Sequence, residues 1–178
     1  MKTATMIASS KRVDKRLGAL EAAAVAEISE DLRQLLADVF ALYVKTKGAH
    51  WHITGAHFRD YHLLLDEQAE QIFAMTDEIA ERTRKIGGTT LHSIAEIVQH
   101  KRLSDETDFV SAESMLSVLV TDNAQLVVSL RRSHELCVHH NDVATTSLIE
   151  VWIDQTERRL WFLNATLNVD QGYRGAPE

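Results

Sequence analysis

Apolar residues recur at intervals of three and four in four long stretches of this chain, the spacing that gives an α-helix one apolar face. The first stretch carries Ile28, Leu32, Leu35, Leu36, Val39, Leu42 and Tyr43 and is expected to run to about Trp51, where Ile53-Thr54-Gly55 breaks it. The second is predicted from about His57 to Ile86. It stops at Gly87-Gly88, and Arg82, Arg84 and Lys85 stand where the dipole of a helix C-terminus favours cations. Ser93-Ile94-Ala95-Glu96 has capping-box spacing and predicts a short connecting helix ending near Gln99. A third long helix is expected from about Ser111 to His139, carrying Met115, Leu116, Leu119, Leu126, Val127 and Leu130. Asn141-Asp142 follows as turn and cap. The fourth carries Ile149, Trp152, Ile153, Leu160, Leu163 and Leu167 and fades before Gly172. Strand-like alternation is absent, and the one proline is Pro177, so no interior helix is forced to break. Four long helices and one short crossover helix predict an all-α four-helix bundle. Residues 17–168 are assigned to that bundle, 1–16 to an N-terminal arm and 169–178 to a tail.

Length and composition agree with one water-facing domain. The chain has 178 residues, 45% apolar and 25% charged, enough to bury a core without staples. A single cysteine, Cys137, excludes an internal disulfide and suits a reducing compartment; it reads as a small buried residue. No apolar run approaches the roughly 18 residues of a membrane span, and the start lacks the apolar region of a signal peptide. A cytoplasmic location is therefore expected. Charge is uneven. Lys2, Lys11, Arg12, Lys15 and Arg16 against Asp14 give the first sixteen residues +4. The whole chain carries −7, which leaves −11 on the rest. An acidic body points to cations as partners, and a basic arm to a polyanion.

Candidate chemistry concentrates on the second helix. His62 and Asp66 form one i, i+4 pair, and Asp77 and Glu81 another. At 100° per residue the four lie at roughly 0°, 40°, 60° and 100° around the axis, so they share a face, with Ala69, Phe73 and Ala80 on or beside it. Either pair alone reads as local surface pairing worth tenths of a kcal/mol. Fifteen residues, about 22 Å of helix, separate His62 from Asp77, so one chain cannot use both pairs for one metal. Two antiparallel copies can. The numbers of His62 and Glu81 sum to 143, as do those of Asp66 and Asp77. A twofold axis crossing between Gln71 and Ile72 thus sets each pair opposite the partner's other pair, giving two equivalent clusters of one imidazole and three carboxylates. His50, at the end of the first helix, is a further candidate ligand. Carboxylates with imidazole and no thiolate suit iron, manganese or zinc, and several negative ligands favour Fe(III) over Fe(II).

The run His50-Trp51-His52-Ile53-Thr54-Gly55-Ala56-His57-Phe58 continues through Tyr61-His62 and Leu65-Asp66-Glu67 to Asp77, Ala80-Glu81-Arg82 and Gly87-Gly88. With Leu160-Trp161-Phe162-Leu163 it resembles the signature of the Dps family of mini-ferritins (DNA-binding protein from starved cells), across most of residues 25–168. The resemblance implies a homododecameric hollow shell with ferroxidase sites at twofold interfaces. It places His50, His62 and Asp66 on one subunit and Asp77 and Glu81 on its partner. It implies oxidation of Fe(II), preferably by hydrogen peroxide, storage of ferric iron in the cavity, and protection of DNA from oxidative damage. Zinc is expected to substitute for iron in vitro. Trp51 matches the family pattern and has two readings: interceptor of an oxidising equivalent, or core or interface residue. His52 stands where many relatives have asparagine and reads as a polar contact. Leu63 replaces a frequently acidic position, whereas Glu67 matches a mineral-nucleation position. Asp142, Asp154 and Glu157 are candidates for an acidic pore admitting iron.

His134, His139 and His140 read as exposed histidines and a helix end rather than a second metal site. The basic arm is the candidate for non-specific, salt-sensitive DNA contact, which twelve copies would reinforce; folding back on the first helix is the other reading. Nucleoid association follows only from the first. Two rivals are separable. A site inside one bundle needs Glu-x-x-His pairs, and none of the nine histidines has glutamate three positions before it. A non-catalytic DNA-packing protein would compact DNA without oxidising iron.

Overall fold

The computed structural model describes residues 20–105 and 110–167. Within them lie five helices and no strand: α1 (Ala22–His52), α2 (Phe58–Lys85), α3 (Ile94–His100), α4 (Ala112–His139) and α5 (Val143–Leu167). The expected boundaries hold to within a residue or two. The arm residues Lys2, Lys11, Arg12, Lys15 and Arg16 and the tail lie outside the described residues.

The helix ends follow from local chemistry. Gly87 adopts φ +93° after α2, and the Gly88 and Gly87 amides donate to the Thr83 and Arg84 carbonyls at 3.0 Å each, a Schellman closure. Gly88 has a second constraint, because a Cβ there would lie 1.9 Å from Ser29 Oγ; the loop crosses α1 with no room for a side chain. Asn141, at φ 57°, ends α4 in the same way, with Asp142 N donating to the Cys137 carbonyl at 2.9 Å. Ser93 accepts the Glu96 amide at 3.2 Å, and Glu96 reaches back to the His92 amide at 2.9 Å, so the capping spacing works as expected.

α1 and α2 form one antiparallel hairpin, α4 and α5 the other, and the two pack face to face through α1 and α4. Ile28, Leu32, Leu35 and Val39 meet Leu65, Ile72, Met75 and Ile79, with Leu126, Leu130, Ile149 and Trp152 from the second hairpin, all fully buried. Tyr43, Met115, Ile153 and Leu167 only border this core. Ala69, expected on or beside the face of the paired acids, is fully buried with Leu65 and Ile72. Phe73 stays half exposed.

Buried polar groups tie the elements together. Asp38 accepts the Arg102 amide at 2.5 Å and its Nε at 2.7 Å, fixing the segment after α3 to α1. Lys45 pairs with Asp122 at 2.6 Å across α1 and α4, and Trp152 Nε1 donates to Glu78 at 2.7 Å. Cys137 is buried as expected, and burial, with Asp142 and Asp31 nearby, pushes its thiol up to about 12. A thiol reagent at pH 8 is therefore expected to leave it unmodified in the native protein and to label it fully in denaturant; native labelling at a free-thiol rate would refute this. Among the described residues no helix is long and apolar enough to cross a membrane.

Candidate metal centre

The last turn of α1 and the first turn of α2 face each other across residues 53–57, which brings two imidazoles together. The rings of His50 and His62 stack with centroids 3.7 Å apart and planes 23° apart. Each Nδ1 lies against the other residue's carbonyl, at 2.9 Å for His50 and 3.0 Å for His62. A carbonyl only accepts, so both Nδ1 atoms carry the proton. A neutral ring in that state presents its lone pair on Nε2, the state of a metal-binding histidine whose other nitrogen is anchored.

Asp66 follows one turn after His62, and its Oδ1 lies 3.8 Å from His50 Nε2. The Lys47 ammonium contacts the same oxygen. The hydrogen bond from Lys47, reinforced by its charge and by both imidazoles, holds the Asp66 carboxyl below the usual carboxylate range. Lys47 was not among the sequence candidates, though its i, i+3 spacing to His50 put it on that face of α1.

Asp77 and Glu81 lie further along α2, exposed, and Glu81 pairs with Lys85 at 2.8 Å, which lowers its pKa. Among the described residues no three His, Cys, Asp or Glu side chains of one chain converge as a metal site. These groups lie in two separate places: an imidazole pair with Asp66 at one end of α2, and two solvent-facing carboxylates towards the other.

The surroundings are apolar. Phe58 is half exposed and tilts against His62 at 5.0 Å, and Phe73 tilts against Tyr43 at 5.0 Å. Trp51 is 66% exposed, so a core role is excluded for it in the single chain. His52 Nδ1 donates to the Gly48 carbonyl at 2.7 Å, a local polar contact.

The other candidates divide. Glu67 is exposed and accepts from Gln71 at 3.3 Å. Asp154 is exposed on α5, and Glu157 pairs with Arg131 at 2.6 Å. Asp142 is 4% exposed and is not a solvent-facing pore acid in this chain. Its Oδ1 takes Arg82 Nη2 at 2.6 Å and caps the Thr145 amide at 3.1 Å. His134 pairs with Glu150 at 3.1 Å and His140 with Glu27 at 2.9 Å, so these histidines do not form one cluster with Asp142.

A family model for the ferritin-like domain matches residues 29–172. Antigen TpF1 of Treponema pallidum is 32% identical over 84% of this chain and 85% of its own. DNA protection during starvation protein 1 of Deinococcus radiodurans is 30% identical over 79% of this chain and 69% of its own. This chain belongs to the ferritin-like family, in its Dps branch. The crystal structure of the Dps protein of Vibrio cholerae O1, described as a member of a broad superfamily of ferritin-like diiron-carboxylate proteins, superposes with a TM-score of 0.80. It is 28% identical and covers 83% of this chain and 93% of that one. The Dps bundle seen here carries His50 on α1 and His62, Asp66, Asp77 and Glu81 on α2.

Proposed function

We propose that this chain is a ferroxidase and iron-storage subunit, with Fe(II) as substrate at two equivalent sites on a twofold dimer interface. Each site takes His50, His62 and Asp66 from one subunit and Asp77 and Glu81 from the other. The observation that carries this reading is the reciprocal lock of His50 and His62 through Nδ1, which leaves both Nε2 atoms unspent, that of His50 3.8 Å from Asp66 Oδ1. The exposed aromatics Trp51, Phe58 and Phe73, the last beside the proposed twofold crossing, support a second copy of this face as the cover.

In the proposed reaction two Fe(II) each give one electron to one hydrogen peroxide. The O–O bond breaks, two protons are taken up and two waters form. Three carboxylates per site stabilise the added positive charge of Fe(III), and the fixed imidazoles hold iron without reorganisation. Peroxide as oxidant follows the Dps resemblance, as does a shell of twelve chains of 20.1 kDa, about 240 kDa. Glu67, exposed on the same helix, is the proposed starting point for ferric mineral. Twelve basic arms on that shell would bind DNA without sequence preference, which fits the name of the Deinococcus relative and a cytoplasmic, nucleoid-associated role.

The test loads the protein anaerobically with Fe(II), adds a pulse of hydrogen peroxide, and follows iron and protein together through size exclusion. Fast oxidation with iron co-eluting on a particle of about 240 kDa is expected. Iron that never co-elutes, with DNA still compacted, would leave the non-catalytic DNA-packing reading. Lys47 competes with metal for Asp66, so Lys47→Met is expected to tighten Zn(II) binding by roughly tenfold in competition with a chromophoric chelator. Unchanged affinity would show that the ammonium leaves Asp66 at no cost.

A further inference from the structure

The turn between α1 and α2 places a third ring beside the two imidazoles. Ile53 is buried and its amide donates to the Ala49 carbonyl at 2.9 Å, which closes α1. Gly55, at φ +111°, turns the chain back, and its carbonyl accepts the Phe58 amide at 3.1 Å. Phe58 is thereby set as the first residue of α2, one turn before His62. At i, i+4 the two side chains share a face of the helix, and their ring centroids lie 5.0 Å apart with planes at 37°.

The His62 ring thus has an aromatic neighbour from each helix: His50 from α1, stacked at 3.7 Å, and Phe58 from α2. Exposure grades outward along the three. His50 is 8% exposed, His62 is half-buried, and Phe58 is 46% exposed. His62 Nδ1 donates to the His50 carbonyl at 3.0 Å. One hydrogen bond holds one atom of a ring and leaves its plane free to tilt, so the ring contacts must fix the plane. A ring that swings off that carbonyl is free to carry its proton on Nε2 instead, which closes that nitrogen to a metal.

We propose that Phe58 is a positioning residue of the metal centre. Its ring keeps the His62 imidazole stacked on His50, with Nδ1 on the His50 carbonyl and Nε2 left for metal before any ion arrives. The proposal rests on His62 as a ligand, the reading given above. Phe58 as mere apolar cover for a second copy makes a different demand: bulk suffices there, whereas holding an imidazole plane needs a flat ring.

Co(II), added without oxygen to the assembled protein, is the probe, with wild type, Phe58→Leu, Phe58→Tyr and His62→Ala compared. Phe58→Leu keeps apolar bulk and should form particles of wild-type size. It should bind Co(II) roughly tenfold more weakly, with the visible band moved towards that of His62→Ala. In metal-free protein labelled with nitrogen-15 in histidine, its His62 signals should change from one tautomer to a mixture of two. Phe58→Tyr, which retains the ring, should restore affinity, band and tautomer. Phe58→Met serves as the second ringless variant should Phe58→Leu not assemble. A ringless variant with wild-type affinity, band and tautomer, beside an impaired His62→Ala, would overturn the proposal and leave the metal centre standing. Wild-type Co(II) binding by His62→Ala would instead remove the metal-centre reading, and this proposal with it.

Discussion

Co-assembled His62→Ala and Glu81→Ala chains are expected to oxidise Fe(II), although each variant assembled alone does not. In either homomeric variant every site lacks one ligand, and peroxide-driven oxidation should fall by roughly 100-fold or more. In a mixed dimer the two sites differ. One draws its imidazoles from the Glu81→Ala chain and its distal acids from the His62→Ala chain, and is intact. The other carries both lesions. Random pairing of equal amounts should therefore restore about one quarter of the wild-type rate. A site enclosed within one chain would give no restoration at any ratio. The experiment also guards against misfolding, since a misfolded variant cannot contribute the intact half of a working site. No recovery in shells that contain both chains would sink the interface reading.

The proposed split site can be read from the sequence because helical geometry makes index arithmetic a statement about space. Two acid or imidazole pairs on one face, with positions summing to the same number, require a twofold partner if they are to meet. The helices were legible for the same reason, and their ends because glycine, asparagine and serine at fixed offsets satisfy the last free backbone groups. Side chains whose state depends on distant elements were not legible. Lys47 reaches Asp66 only because residues 53–57 turn α2 back along α1. Arg159 reads as one more surface charge until Asn123, Thr156 and Met75 are seen to enclose it. Asp142 could be either a pore acid or a cap while its partner, Arg82, lay sixty residues away.

Replacing Asp142 separates those two readings by a large margin. Its carboxylate carries three loads: an ion pair with Arg82, the N-cap of α5 through the Thr145 amide, and a hydrogen bond from Thr145 Oγ1. Arg82 Nε also donates to Thr145 Oγ1 at 2.6 Å, so the three residues close a small polar network where α2 meets the start of α5. The pair is largely buried, with side-chain exposures of 16% for Arg82 and 3% for Asp142. Removing one partner of a buried pair costs about 3–5 kcal/mol, chiefly because the other charge is left without compensation. Asp142→Ala should therefore lower the melting midpoint by roughly 10 °C. Asp142→Asn should lose less, because its amide oxygen can still accept the Thr145 amide while the charge on Arg82 stays unanswered. A pore acid would behave in the opposite way. It would leave the midpoint unchanged and slow iron uptake, most of all at low Fe(II), where attraction at the mouth limits the rate. Calorimetry beside stopped-flow uptake on both variants decides the matter, and a stable Asp142→Ala shell with retarded uptake would return Asp142 to the pore.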